Sequence, residues 1–250
     1  MNNQAVIRKI EELSMNALPS LQTQLFDGWI LRFSNNYAKR ANSINPLYFS
    51  SEDVEKKIEK CVQIYRNNNL KVVYKLTDHI FPNELDNILE KKGYDFDGLT
   101  SVQLLSLNNL EISQSSSTVI YNNLADKWFT AFCELNKIHK NNQPTLKMML
   151  ENIVSDVCYV VLFNHKNETL ACGMGVLEDE YIGLFDIVTN QKHRKKGYGM
   201  QLVLTILHWG KENGAKNAYL QVVLNNSPAL RLYSKIGFKE EYRYWYRIQS

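Results

Sequence analysis

Ile187-Val188-Thr189-Asn190-Gln191-Lys192-His193-Arg194-Lys195-Lys196-Gly197-Tyr198-Gly199-Met200 joins an apolar, β-branched run to a basic, glycine-spaced turn that opens into an amphipathic helix. A strand feeding such a turn puts free backbone N–H groups and the positive end of a helix in one place, a geometry that binds phosphate. Glycines at 197 and 199 remove side chains where a ligand must come close to the backbone. Beyond them Leu202, Val203, Ile206, Leu207 and Trp209 recur at helical spacing and predict a face pinned to a core. The amides of residues 195–200 would then face a diphosphate, with Lys192, Arg194, Lys195 and Lys196 supplying charge. Taken alone, Lys-Lys-Gly also marks ordinary solvated loops.

Outward from this turn, the pattern predicts alternating strands and helices in both halves of the 250 residues. In the first half these are a helix near 4–16, strands at 28–33 and 43–49, and a helix over 52–68 capped by Ser51 or Ser50. A strand at 71–76, a helix from 82 to 92 closed by Gly93, and a strand at 100–107 follow. The second half predicts helices at 124–139 and 144–154 and strands at 157–164, 169–178 and 181–189. A helix at 198–213, a strand at 217–224, a helix at 227–235 and a strand at 239–248 complete it. The halves rhyme: Leu89-Glu90-Lys91-Lys92-Gly93-Tyr94 matches Tyr233-Ser234-Lys235-Ile236-Gly237-Phe238 in pattern, which points to an internal duplication. Between them, the polar, serine-rich run from 107 to 117 reads as a linker, giving domains 1–110 and 117–250. The first half has no Gly-x-Gly turn; its Asn45–Ser51 stretch could not present successive free amides in the same way.

Bulk properties narrow the class. The net charge of +3 is too mild to argue for nucleic acid, and the whole excess lies after residue 110. The cysteines at 61, 133, 158 and 172 form no C-x-x-C pair and no metal-type spacing, so reduced thiols and no bound metal are expected. The first residues do not read as a signal peptide, and no apolar run approaches membrane-spanning length, so a cytoplasmic protein without a membrane partner is expected.

One strand beyond the basic turn lies Asn226-Ser227-Pro228-Ala229-Leu230-Arg231-Leu232-Tyr233-Ser234-Lys235-Ile236-Gly237-Phe238. Together the two segments closely resemble the GCN5-related N-acetyltransferase (GNAT) superfamily, whose members move an acetyl group from acetyl-CoA to an amine. Arg194-x-x-Gly197-x-Gly199 matches its pyrophosphate loop, and Asn226, Ala229, Leu232, Tyr233, Lys235, Gly237 and Phe238 match its second motif. Gln191 departs from the family, standing where many relatives have proline. The resemblance implies a mixed-sheet α/β acyl-CoA N-acyltransferase fold in two tandem domains, the first a degenerate copy. It implies acetyl-CoA as co-substrate. Backbone groups of Ile187, Val188 and Thr189 would hold the pantetheine arm, while Arg194 and the stretch Lys195, Lys196, Gly197, Tyr198, Gly199 and Met200 would hold the pyrophosphate. Asn226 would contact the cofactor, and Tyr233 would sit by the thioester sulfur.

Aminolysis of a thioester needs a neutral amine, a positioned carbonyl and a proton for the departing thiolate. Tyr233 could give that proton, or serve only as a core aromatic. Asp186, on the strand beside the expected reaction centre, could accept the amine's proton, or bond to neighbouring backbone as a structural group. Glu178, Asp179 and Glu180 read as a solvated hairpin tip, and His139 could line the acceptor mouth. Arg40, Asn42, Ser43 and Asn45 could line a substrate cleft or satisfy buried backbone at a sheet end. In the tail, Tyr242, Tyr244 and Tyr246 share one strand face and Arg243, Trp245 and Arg247 the other, for an acceptor pocket or a domain interface. The sequence therefore predicts an N-acetyltransferase acting directly in a ternary complex on a small-molecule or peptide amine, as monomer or homodimer. A non-catalytic acyl-CoA-binding module is the alternative, and a nucleic-acid binder is disfavoured by the balanced charge.

Overall fold

A computed structural model describes residues 3–108, 110 and 118–249, so most of the serine-rich stretch read as a linker lies outside the described residues. The chain divides into two compact units, Met1–Ser101 with Tyr242–Ser250, and Val102–Glu241.

The first unit contains α1 (Asn3–Ala17), β1 (Gln22–Phe26), β2 (Trp29–Phe33), β3 (Ile44–Pro46), α2 (Val54–Asn67), β4 (Val73–Thr77) and α3 (Leu85–Lys91). It also takes the start of β5 (Tyr94–Ser106) and most of β11 (Lys239–Gln249). Its strands run in the order β1-β2-β3-β4-β11-β5, with β3 and β4 parallel and the pairs β1–β2, β2–β3 and β4–β11 antiparallel. Trp29, Leu31, Tyr65, Tyr74 and Leu76 pack its core. Strand β1 escaped the sequence reading because Gln22-Thr23-Gln24 gives an exposed edge strand no apolar alternation. The α2 cap is corrected too: Asp53, not Ser50 or Ser51, accepts from Lys56 N at 3.0 Å.

Several polar side chains between residues 32 and 45 bond to backbone, while Asn45 Oδ1 is buried without a hydrogen-bond partner among the described residues. Asn42 Oδ1 accepts from Ser34 N at 2.7 Å and from Asn36 N at 3.1 Å, and its Nδ2 donates to Tyr37 O at 2.6 Å. Asn45 Nδ2 donates to Ser43 O at 2.8 Å, and the Arg32 guanidinium donates to Arg40 O at 2.7 Å and to Met15 O at 3.1 Å. In the tail, Tyr242, Tyr244 and Tyr246 are buried, while Trp245 Nε1 and Arg247 Nε each donate to Asp86 Oδ1 at 2.8 Å. Both faces of that strand thus serve packing within this unit.

The second unit holds the end of β5, then β6 (Thr118–Tyr121), α4 (Asp126–Leu135), α5 (Gln143–Glu151), β7 (Asp156–Phe163), β8 (Thr169–Glu178) and β9 (Tyr181–Thr189). After these come α6 (Tyr198–Glu212), β10 (Asn217–Val223), α7 (Ser227–Ile236) and the first residues of β11. Its strand order is β6-β7-β8-β9-β10-β5; β9 and β10 are parallel, and β6 through β9 are antiparallel in turn. Residues 22–106 and 156–249 follow one order of strands and α-helices: three strands, a helix, a strand, a helix and a strand. Each second helix ends on a left-handed glycine, Gly93 at φ 82° and Gly237 at φ 108°.

Leu184, Leu202, Val203, Ile206, Leu207 and Leu220 form the core between one sheet face and α6, with α7 packed alongside through Tyr233 and Ile236. Trp128, Phe132 and Tyr159 cover the opposite face beneath α4. The sheet between these layers is where the basic turn begins.

Candidate active site

β9 and β10 pair from Tyr181 opposite Asn217 to Leu184 opposite Leu220, and there the pairing stops. β9 continues to Thr189 and β10 to Val223, so the strands part and the backbone of 185–189 faces away from any ladder on that side. On its other side β9 carries a bulge. Cys172 faces Val188 and Met174 faces Phe185, so Asp186 and Ile187 together oppose the single residue Gly173. Asp186 takes a left-handed φ of 56°, a conformation that costs a non-glycine residue on the order of 1 kcal/mol.

The bulge decides where side chains point. Leu184 and Ile187 both pack on the α6 side, a spacing of three that a regular period of two forbids. Asp186 is thereby turned to the α4 side, where its charge helps burial push up the Tyr159 phenol and the Cys172 thiol. Its side chain is half-buried.

Past Thr189 the chain is anchored before it turns. Asn190 N donates to Leu170 O at 2.9 Å, its Nδ2 donates to Thr169 O at 3.0 Å, and its Oδ1 accepts from Lys192 N at 3.1 Å. His193 Nε2 lies 3.1 Å from Glu168 Oε1. The asparagine anchor was not singled out from sequence, because its value depends on a partner strand twenty residues away. Lys195 and Gly197 then adopt left-handed φ of 63° and 87°, and α6 starts at Tyr198 with no side-chain cap. The helix's first backbone bond runs from Gln201 N to Gly197 O, so the amides of Tyr198, Gly199 and Met200 project from its end. Arg194, Lys195 and Lys196 are exposed around them and have no carboxylate partner among the described residues. A Cβ on Gly199 would meet Leu232 Cδ1 at 3.1 Å and Thr189 Oγ1 at 3.3 Å, so this glycine lets β9, α6 and α7 converge.

α7 delivers the remaining residues. Asn226 caps it, Oδ1 accepting from Ala229 N at 3.3 Å, and is exposed. The Tyr233 ring is buried edge-on to Phe238 at 5.9 Å, and its hydroxyl bonds to none of the described residues. Burial pushes that phenol up to about 12, so it stays protonated at neutral pH. Tyr233 thus lies in the core on the α6 and α7 side, and Asp186 sits on the other side of the strand that parts from β10. Amides, cations and an opened strand edge fit a diphosphate ester carrying an amide-bearing arm.

Other candidates lie elsewhere. Glu178–Glu180 sits at the far end of β9, where Glu180 O accepts from Asn217 N at 3.0 Å. His139 Nδ1 accepts from Asn141 N at 3.3 Å and caps a short 3-10 turn. All four cysteines are buried and free, and burial pushes the Cys158 and Cys61 thiols to about 12, which disqualifies them as thiolate nucleophiles. Among the described residues no group of three or more His, Cys, Asp or Glu could hold a metal, and no helix is long and apolar enough to cross a membrane.

The corresponding place in the first unit is filled by the protein itself. Asp27 accepts from Ser51 N at 3.0 Å, from Glu52 N at 2.9 Å and from both serine hydroxyls of Ser50 and Ser51, and pairs with the buried Lys57 at 2.9 Å. The Glu52 amide, the Lys57 ammonium and the Ser51 hydroxyl hold its carboxyl far below the usual range. A carboxylate thus occupies the amides of Ser51 and Glu52 ahead of α2.

Comparison with known proteins places this arrangement. The fold is that of acyl-CoA N-acyltransferases: a GCN5-related N-acetyltransferase from Kribbella flavida superposes with a TM-score of 0.74 at 13% identity, covering 97% of this chain and 95% of that one. A tandem GNAT protein from the clavulanic acid biosynthesis pathway superposes with a TM-score of 0.59 at 12% identity, over 74% of this chain and 66% of that one. In sequence, the "Uncharacterized N-acetyltransferase YobR" of Bacillus subtilis (strain 168) is 27% identical over 248 residues, covering 97% of this chain and 98% of the relative. The family described as "Probable histone acetyltransferase Rv0428c C-terminal" matches residues 4–247. The chain belongs to that family, within the GCN5-related N-acetyltransferase superfamily.

Proposed function

We propose that the second unit transfers the acetyl group of acetyl-CoA to a primary amine by direct attack in a ternary complex. The observation that carries this is the parting of β9 from β10 after Leu184, with the bulged Asp186 at the fork and the uncapped, cation-ringed start of α6 at its end. Acetyl-CoA, when bound, supplies an activated acyl group as a thioester. The open backbone of Ile187, Val188 and Thr189 extends along its pantetheine arm as an added strand would. The amides of Lys195 to Met200, with Arg194, Lys195 and Lys196, take the pyrophosphate, and the Asn226 amide is free to donate beside it once its oxygen caps α7.

The residues divide the proton work. Asp186, an acceptor on the α4 side, removes a proton from the incoming amine directly or through a water. Tyr233 holds its own proton through the working pH range and donates it to the sulfur as the carbon–sulfur bond breaks. No cysteine is placed or ionised to form an acetyl-enzyme, which supports direct attack. The first unit, its phosphate position filled by Asp27, takes no part in binding the pyrophosphate.

The test is CoA release from acetyl-CoA over a library of small amines, amino acids, aminoglycosides and peptides. Amine-dependent release, slowed about 10²–10⁴-fold but still measurable in Asp186→Asn with CoA affinity kept, is expected. Tight CoA binding with no amine raising release above hydrolysis would instead make the protein an acyl-CoA sensor.

A further inference from the structure

We propose that Trp128 is a positioning residue for the transfer reaction, its indole N–H holding the β9 bulge that aims Asp186 and the backbone of Ile187–Thr189. The catalytic consequence rests on the acetyl-transfer reading above; the geometry does not.

Trp128 sits on α4, and its Nε1 donates to the Gly173 carbonyl at 2.9 Å. Gly173 is the one residue of β8 that faces two residues of β9, so the bond falls on the bulge itself. The indole has no freedom to aim elsewhere. It is fully buried, stacked on Phe132 at 5.1 Å with 6° between planes, and set against the edge of Tyr159 at 4.8 Å. On the opposite face the core closes directly on Gly173, since a Cβ there would meet Ile187 Cδ1 at 2.6 Å and Leu202 Cδ2 at 3.3 Å. The bulge is thus clamped between an α4 donor and the α6 core.

What the clamp maintains is the orientation of a carboxylate. Without the extra residue, strand alternation would turn Asp186 toward the α6 side, among Leu184, Leu202 and Ile206. With it, Asp186 shares the α4 side with Tyr159, whose ring Trp128 touches and whose phenol feels the Asp186 charge. Removing the indole N–H leaves the Gly173 carbonyl buried without that donor and loosens the turn at Asp186. The pyrophosphate turn, anchored separately by Asn190, is not disturbed.

Two variants separate this role from simple packing: Trp128→Phe, and a site-specific tryptophan isostere with sulfur in place of the ring N–H. By hydrogen–deuterium exchange, both should speed the amides of 186–189 about tenfold or more while those of 217–223 change less than about twofold. Unchanged exchange at 186–189, or equal acceleration across the unit, overturns the proposal whether or not turnover has been found. In steady-state kinetics Trp128→Phe should lower kcat about 10–100-fold with the acetyl-CoA KM within about threefold, and should lower it less than about threefold further in an Asp186→Asn background. An equal loss in both backgrounds overturns the claim that Trp128 acts through Asp186. Absence of amine-dependent turnover in the unmodified protein would count against the acetyl-transfer reading alone, because the exchange measurement still decides the role of Trp128.

Discussion

Replacing Tyr233 by phenylalanine removes one oxygen and leaves everything else in place. The ring is 8% exposed and keeps its edge contact with Phe238 at 5.9 Å. Its hydroxyl bonds to none of the described residues, so no folded-state hydrogen bond is lost and stability should move by less than about 0.5 kcal/mol. Catalysis should not be spared. Loss of a general acid slows turnover about 10²–10⁴-fold, which corresponds to about 3–5 kcal/mol of barrier. The pH dependence has a definite sign. The active form is the neutral phenol, and burial raises its titration to about 12, so the donor is retained at neutral pH and lost only as pH climbs toward that value. The unmodified protein should therefore show no falling limb from this group below about pH 10. The assay is CoA release followed by a thiol reagent, with a thermal melt on the same samples. A Tyr233→Phe protein with near-normal kcat, or one whose melting temperature collapses, would refute the reasoning.

Gly197→Ala places a methyl in open space at φ 87°, so its cost is backbone conformation alone, about 1–2 kcal/mol. Calorimetry should show CoA affinity down about 5–30-fold, with Gly197→Asn milder because asparagine tolerates the left-handed region; equal affinity for alanine and glycine would contradict the cradle. The same titration should give one CoA per chain because Asp27 fills the first unit's amides, and two sites would contradict that. Within the first unit, Glu11 (2% exposed) pairs with Lys75 (5% exposed) and accepts from Tyr242 at 2.8 Å. Glu11→Ala should cost about 3–5 kcal/mol in urea unfolding by orphaning the ammonium, and adding Lys75→Met should restore part of it.

The basic turn and the α7 motif were legible because their chemistry is local. Glycine spacing, adjacent cations and the following helix all lie within a few residues of one another. The bulge was not. Leu184–Thr189 reads as an unbroken strand, and what breaks it is a glycine on the neighbouring strand and an indole some sixty residues upstream. Asp27 escaped for the same reason, since nothing near it in sequence shows that it answers amides at 51 and 52. The polar cluster at 40–45 had two open readings, and the hydrogen bonds of Asn42 and Asn45 favour the structural one. Strand β6 went unread because it follows the serine-rich run directly and its four residues offer little alternation.

The most direct test of the account is a single-turnover reaction with excess protein, acetyl-CoA and an accepted amine, quenched over time and read by mass spectrometry of both products. The account predicts acetylated amine appearing in step with free CoA while the protein mass stays unchanged. An acetylated protein that forms first and then decays, or CoA released without any acetylated amine, would contradict it.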